Sequence, residues 1–95
     1  MVRNDAFRET GETTKHLARF IDAARREKGV SQLTMARAIR DTTHPSYVSV
    51  RLSGRKSWSL DDLDSIAPLI GYRSAMELMA AARRSVEEGG DGGRD

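Results

Sequence analysis

Glycine placement constrains this chain most. Gly29, Gly54 and Gly71 each close a run whose apolar residues recur at helical spacing, and no run alternates with period two. A glycine just past a helix supplies the left-handed residue that ends it. The punctuation therefore predicts short helices and an all-α fold. A first helix is expected from about Thr14 to Lys28, with Leu17, Phe20, Ile21 and Ala24 at i, i+3, i+4 and i+7. Ser31 is a suitable N-cap for a second, Gln32 to Arg40, which turns Met35, Ala36 and Ile39 inward. Asp41-Thr42-Thr43 has turn chemistry, and His44-Pro45 opens a third helix that ends before Gly54.

The fourth and fifth helices carry start signals of their own. Ser59 and Asp62 have capping-box spacing, and Trp58 and Leu63 are placed as a hydrophobic staple across that cap. Leu60, Leu63, Ile66, Ala67 and Ile70 are expected inward. Pro68 removes a backbone bond to Asp64 and is expected to kink or shorten this helix. Ser74 and Glu77 repeat the box and open a fifth helix to about Val86. Residues 1–13 show no sustained apolar period and are expected as a flexible N-terminal arm. GGDGGRD, residues 89–95, is expected as a disordered tail, which leaves 14–88 as one domain.

Composition removes several functions. The 95 residues contain no cysteine, so disulfides and thiolate metal sites are out, and His16 and His44 are too few for a histidine-built site. No apolar run reaches membrane-span length and no signal peptide opens the chain, so a cytoplasmic protein is expected. No acid pair, Ser-His-Asp order or phosphate-binding loop argues for catalysis, and no cofactor is expected. Asp61, Asp62 and Asp64 are explained by the first turn of a helix. Charge is uneven: Lys15 to Leu60 holds ten Lys/Arg against three Asp/Glu, +7, whereas the remainder holds six against eleven, −5. A basic centre between acidic ends suits a polyanionic partner, although a solvated surface would carry the same charge.

The third segment, HPSYVSVRLSGRK, sharpens that choice. It meets the core mainly through Val48 and Leu52, leaving Ser46, Ser49, Val50 and Ser53 outward. A helix buried along one edge can lay its other face in the DNA major groove, where hydroxyls bond base edges and a valine meets a thymine methyl. Arg55 and Lys56 at its exit can reach phosphates, and Gln32 opens the preceding helix where backbone amides attract phosphate. In order and spacing, KGVSQLTMARAI, HPSYVSVRLSGRKSWSL, LDSIAPLIG and SAMEL resemble the Cro/phage-repressor (XRE-like) family. The matching features are Ser31-Gln32, the small Ala36, Gly54-Arg55-Lys56 and Ser59-Leu60, over roughly two thirds of the chain. The chain departs from the family in a longer turn without glycine and in Arg51, which stands where an apolar residue is common.

The resemblance implies a five-helix lambda-repressor-like helix-turn-helix domain, a transcription regulator or repressor of bacterial or phage type. It would be nucleoid-associated when bound to double-stranded DNA. The expected contacts are Gln32, Thr43, His44, Ser46, Tyr47, Ser49, Val50, Arg51, Ser53, Arg55 and Lys56. Several have a second reading. Tyr47 suits a sugar or phosphate and equally the edge of the core. Arg51 suits guanine, a phosphate or Asp41. His44 suits an ordinary helix start, Trp58 the staple, and Arg25-Arg26-Lys28 a solvated helix end. Ala75, Leu78, Met79, Ala82 and Val86 form a stripe that would serve a homodimer or close the monomer core. An antitoxin-like adaptor with a protein partner and a weakly specific architectural protein remain as alternatives.

Overall fold

The computed structural model describes residues 10–40 and 45–87. Among them it holds five α-helices and no strand: α1 Glu12–Lys28, α2 Gln32–Arg40, α3 Pro45–Leu52, α4 Leu60–Ile66 and α5 Ala75–Ser85, with a 3-10 turn Ala67–Ile70 after α4. None of these helices is long and apolar enough to cross a membrane.

The boundaries follow from local backbone chemistry. α1 starts two residues earlier than Thr14: the Gly11 carbonyl accepts the Lys15 N–H at 3.1 Å, and Glu12 sits in the positively polarised first turn. Thr10, expected in the arm, is tied down, its hydroxyl donating to the Gly54 carbonyl at 2.6 Å. The rest of the expected arm, residues 1–9, and the expected tail lie outside the described residues, as do Asp41 to His44.

α1 and α3 end alike. After α1 the Gly29 and Val30 N–H groups reach back to the Arg26 and Arg25 carbonyls, and after α3 those of Gly54 and Arg55 reach Arg51 and Val50. This double bond pattern requires a left-handed residue, which Gly54 supplies at φ 87°. Ser31 caps α2 by accepting the Thr34 N–H at 3.0 Å. The box at α4 is complete: Ser59 Oγ accepts the Asp62 N–H at 3.0 Å, and Asp62 Oδ2 accepts the Ser59 N–H at 3.5 Å. The second box forms by half. Ser74 Oγ accepts the Glu77 N–H, but the Glu77 carboxylate takes the Arg73 N–H at 2.6 Å instead of that of Ser74. Pro68 shortens α4 as its missing N–H requires, and the chain tightens into the 3-10 turn. Asp64 then reaches forward, accepting the Ala75 N–H at 2.7 Å at the start of α5.

The core draws on every helix. Ile21, Met35, Val48, Leu63, Ile66, Ile70 and Leu78 are fully enclosed, each contributing about 1.5–3 kcal/mol of burial. Trp58 and Leu63 both lie in this cluster, consistent with the staple. Leu60 does not: it is 63% exposed. Side chains lean toward the helix N-terminus, so a leucine at the first position of α4 projects past the end of the core. Ala18, outside the expected α1 stripe, is buried because the Gly54 turn crosses it; a Cβ at Gly54 would stand 3.8 Å from that of Ala18. The α5 stripe divides. Ala75, Leu78 and Ala82 are buried, whereas Met79 and Val86 are exposed, with Ala81 buried in addition.

Candidate nucleic-acid interface

α3 packs on α2 and on α1. Val48 and Leu52, one turn apart, hold its inner edge. Ser46, Ser49 and Ser53 are exposed and Val50 is half-exposed, so the outward set expected from spacing is the set found. Its hydroxyls are partly committed. Ser49 Oγ donates to the Ser46 carbonyl at 3.3 Å and Ser53 Oγ to that of Val50 at 2.7 Å. A hydroxyl that has spent its proton on a carbonyl keeps lone pairs to accept with. Ser49 therefore presents an acceptor, the complement of a cytosine or adenine amino group. Ser53 has less to offer, because it also accepts from Arg55 N at 3.4 Å and Arg55 Nε at 3.3 Å. It acts at the helix exit, orienting the Arg55 side chain.

Tyr47 and Arg51 turn away from this face. The Tyr47 hydroxyl donates to Asp62 Oδ2 at 2.7 Å, tying α3 to the cap of α4. The Arg51 guanidinium lies over the Tyr47 ring, Cζ 3.7 Å from its centroid, and Nη1 donates to the Tyr47 carbonyl at 3.0 Å. Arg51 Nε is buried with no partner among the described residues, as is Trp58 Nε1. Of the two readings of Tyr47, the geometry is that of the core edge. Arg51 is half-buried, its guanidinium folded back onto its own helix at Tyr47.

Arg55 and Lys56 are exposed just past α3, and Gln32 is half-buried at the first residue of α2. Thr43 and His44 lie outside the described residues. The structure adds Lys15, whose Cα and Cγ would stand 3.7 Å from a Cβ at Gly54. The Thr14 and Ser57 hydroxyls are 3.3 Å apart. The start of α1 thus lies beside the basic exit of α3, a neighbourhood no local pattern announces. Asp62, 4% exposed, was legible as a cap but not as the joint to Tyr47. The other basic cluster is compensated in part: Arg25 and Arg26 share the single carboxylate of Asp22, at 2.9 and 3.2 Å. Arg55 and Lys56 are the exposed cations that directly follow α3.

No protein-family model matches this chain, and no curated protein or solved structure is significantly similar to it.

Proposed function

We propose that this protein binds double-stranded DNA, with α2 and α3 as a helix-turn-helix pair and the outward face of α3 in the major groove. On this reading it is a transcription regulator of the Cro/phage-repressor kind. The observation that carries the reading is the surface of α3. Small polar residues and one valine stand outward of a helix anchored by Val48 and Leu52, and the helix runs directly into exposed Arg55 and Lys56. Small side chains let backbone and hydroxyls come close to base edges, and the exit cations meet phosphates flanking the groove. Ser46, Ser49 and Val50 are the base-facing residues; Arg55 and Lys56 are the phosphate set, with Gln32 at the N-terminus of α2.

One observation favours a second reading. Arg51 is turned back onto Tyr47, and Ser53 holds Arg55, so no arginine reaches outward from α3 itself for a bidentate bond to guanine. A face of serines and a valine supports weak sequence preference, as an architectural protein would have.

Selection of bound sequences from a random duplex library at near-physiological salt separates these outcomes. An enriched motif that changes in Ser49→Ala or Val50→Ala supports base reading by this face. Salt-sensitive binding without enrichment supports the architectural reading. Absence of binding to any duplex overturns both.

A further inference from the structure

The largest concavity among the described residues lies away from α3, between α1 and α5. Its volume is about 1010 Å³, the upper end of the range of small-molecule clefts. Along its floor His16 Nε2 donates to the Ala82 carbonyl at 2.9 Å, tying the two helices together. Leu17, Met79 and Val86 form apolar walls, and Met76, 81% exposed, stands at the edge. From Met76 to Val86 this apolar lining runs about 15 Å along α5. Thioether side chains adapt their shape to a flexible apolar guest.

The charges of the cleft identify its occupant. Glu12, Arg19, Arg83 and Glu87 line it. Arg83 and Glu87 bind each other at 3.0 Å and leave no net charge. Glu12 sits in the first turn of α1, where the positive end of the helix compensates a carboxylate. Arg19 is exposed and has no ion-pair partner among the described residues. α5 runs antiparallel to α1: its approach at Gly71 lies beside Lys28 at the end of α1, whereas Ala82 meets His16 near the start. Glu12, Arg83 and Glu87 therefore share one end of the cleft, and Arg19 lies two turns along α1 from Glu12, roughly 10 Å toward the Met76 end. A guanidinium is a planar fork that takes a carboxylate through two parallel bonds. An apolar cleft with one free guanidinium matches an alkyl chain that ends in a carboxylate. A cationic amphiphile would meet Arg19 as a like charge. A bilayer surface calls for a broad basic face, which a cleft holding one free cation does not offer.

We infer that the α1–α5 cleft binds a fatty acid as a single molecule, its alkyl chain against Leu17, Met79 and Val86 and its carboxylate on Arg19. This inference is independent of the DNA reading, and its test uses no DNA. The probe is dodecanoate below its micelle-forming concentration, added to the full chain carrying carbon-13 at the methionine methyls. The Met76 and Met79 methyl resonances are expected to shift saturably, while that of Met35, fully enclosed in the core, stays in place. Arg19→Gln, which alters an exposed residue, is expected to weaken dodecanoate binding about three- to tenfold while circular dichroism keeps its helical signal. Dodecanol, with the same chain and no charge, is expected to bind the parent about as weakly as dodecanoate binds the variant. Met76 and Met79 resonances that stay unmoved throughout the titration overturn the inference. So does dodecyltrimethylammonium binding as tightly as dodecanoate, or an affinity unchanged by Arg19→Gln, because burial of the chain alone then accounts for the binding. A shift of Met35 together with loss of the helical signal also overturns it, since the probe then unfolds the protein instead of filling the cleft.

Discussion

Tyr47→Phe removes one oxygen and tests the joint between α3 and α4. The ring stays, and with it the surface on which Arg51 stacks at 3.7 Å. What is lost is the 2.7 Å bond to Asp62 Oδ2. Asp62 is 4% exposed, so bulk water does not readily replace the missing donor. Its remaining side-chain contact on that oxygen is the long 3.5 Å bond from Ser59 N. A hydrogen bond to a carboxylate contributes about 1.5–3 kcal/mol, and leaving a buried acceptor unpaired makes the upper half of that range the better expectation. For a domain of this size the corresponding fall in melting temperature is roughly 9–24 °C. Urea and thermal unfolding followed by circular dichroism measure it directly. A cycle with Asp62→Ala separates the joint from the cap. That variant loses both, so it should cost about 1 kcal/mol more than Tyr47→Phe, and the coupling energy should match the single bond. A destabilisation and a coupling both below about 0.5 kcal/mol would refute the joint.

The other predictions each isolate one feature. Gly54→Ala should destabilise by about 1–2 kcal/mol through its left-handed backbone alone, since the added Cβ meets Lys15 and Ala18 at ordinary contact distances of 3.7–3.8 Å; urea midpoints measure it. Arg51→Met should leave stability within about 0.5 kcal/mol of the parent, because it removes an unpartnered buried Nε while keeping the apolar stem; Arg51→Ala should lose about 1 kcal/mol of packing in the same assay. If the proposed function holds, neither substitution alters the selected DNA motif. Arg55→Ala and Lys56→Ala should each flatten the slope of log affinity against log salt by about 0.9 without changing the motif, and an unchanged slope removes that residue from the phosphate set.

The helices were legible because their ends are written in single residues. Gly29, Gly54 and Gly71 all take positive φ, and the caps at Ser31, Ser59 and Ser74 all receive the expected N–H. Pro68 announced where α4 must stop. The errors arise where a partner distant in the chain decides. α1 gains its extra residues at an end where Thr10 docks on Gly54, 44 positions away. The half-formed box at α5 is a local exception: the Glu77 carboxylate takes the N–H of Arg73, four positions back, in place of that of Ser74. The α5 stripe divides because α1 and α4 cover only part of it, and the width of a stripe states nothing about the width of its cover.

The candidate interface divides along the same line. Its outward face follows from helical geometry: at about 100° per residue, Ser49, Ser53, Ser46 and Val50 fall within one arc of about 100° opposite Val48 and Leu52. Arg51 falls about 60° from Val48 and Tyr47 about 100°, at the margins where either orientation satisfies the period. The margin is settled by a third element. Asp62, buried at the cap of α4, draws in the Tyr47 hydroxyl; the fixed ring then offers Arg51 both a face and, through the Tyr47 carbonyl, an acceptor. A carboxylate that caps one helix thereby decides which cation the neighbouring helix can present. On the proposed reading, base contacts fall to hydroxyls and a methyl-bearing valine, and the basic character at the end of α3 passes to Arg55 and Lys56, beyond its last turn.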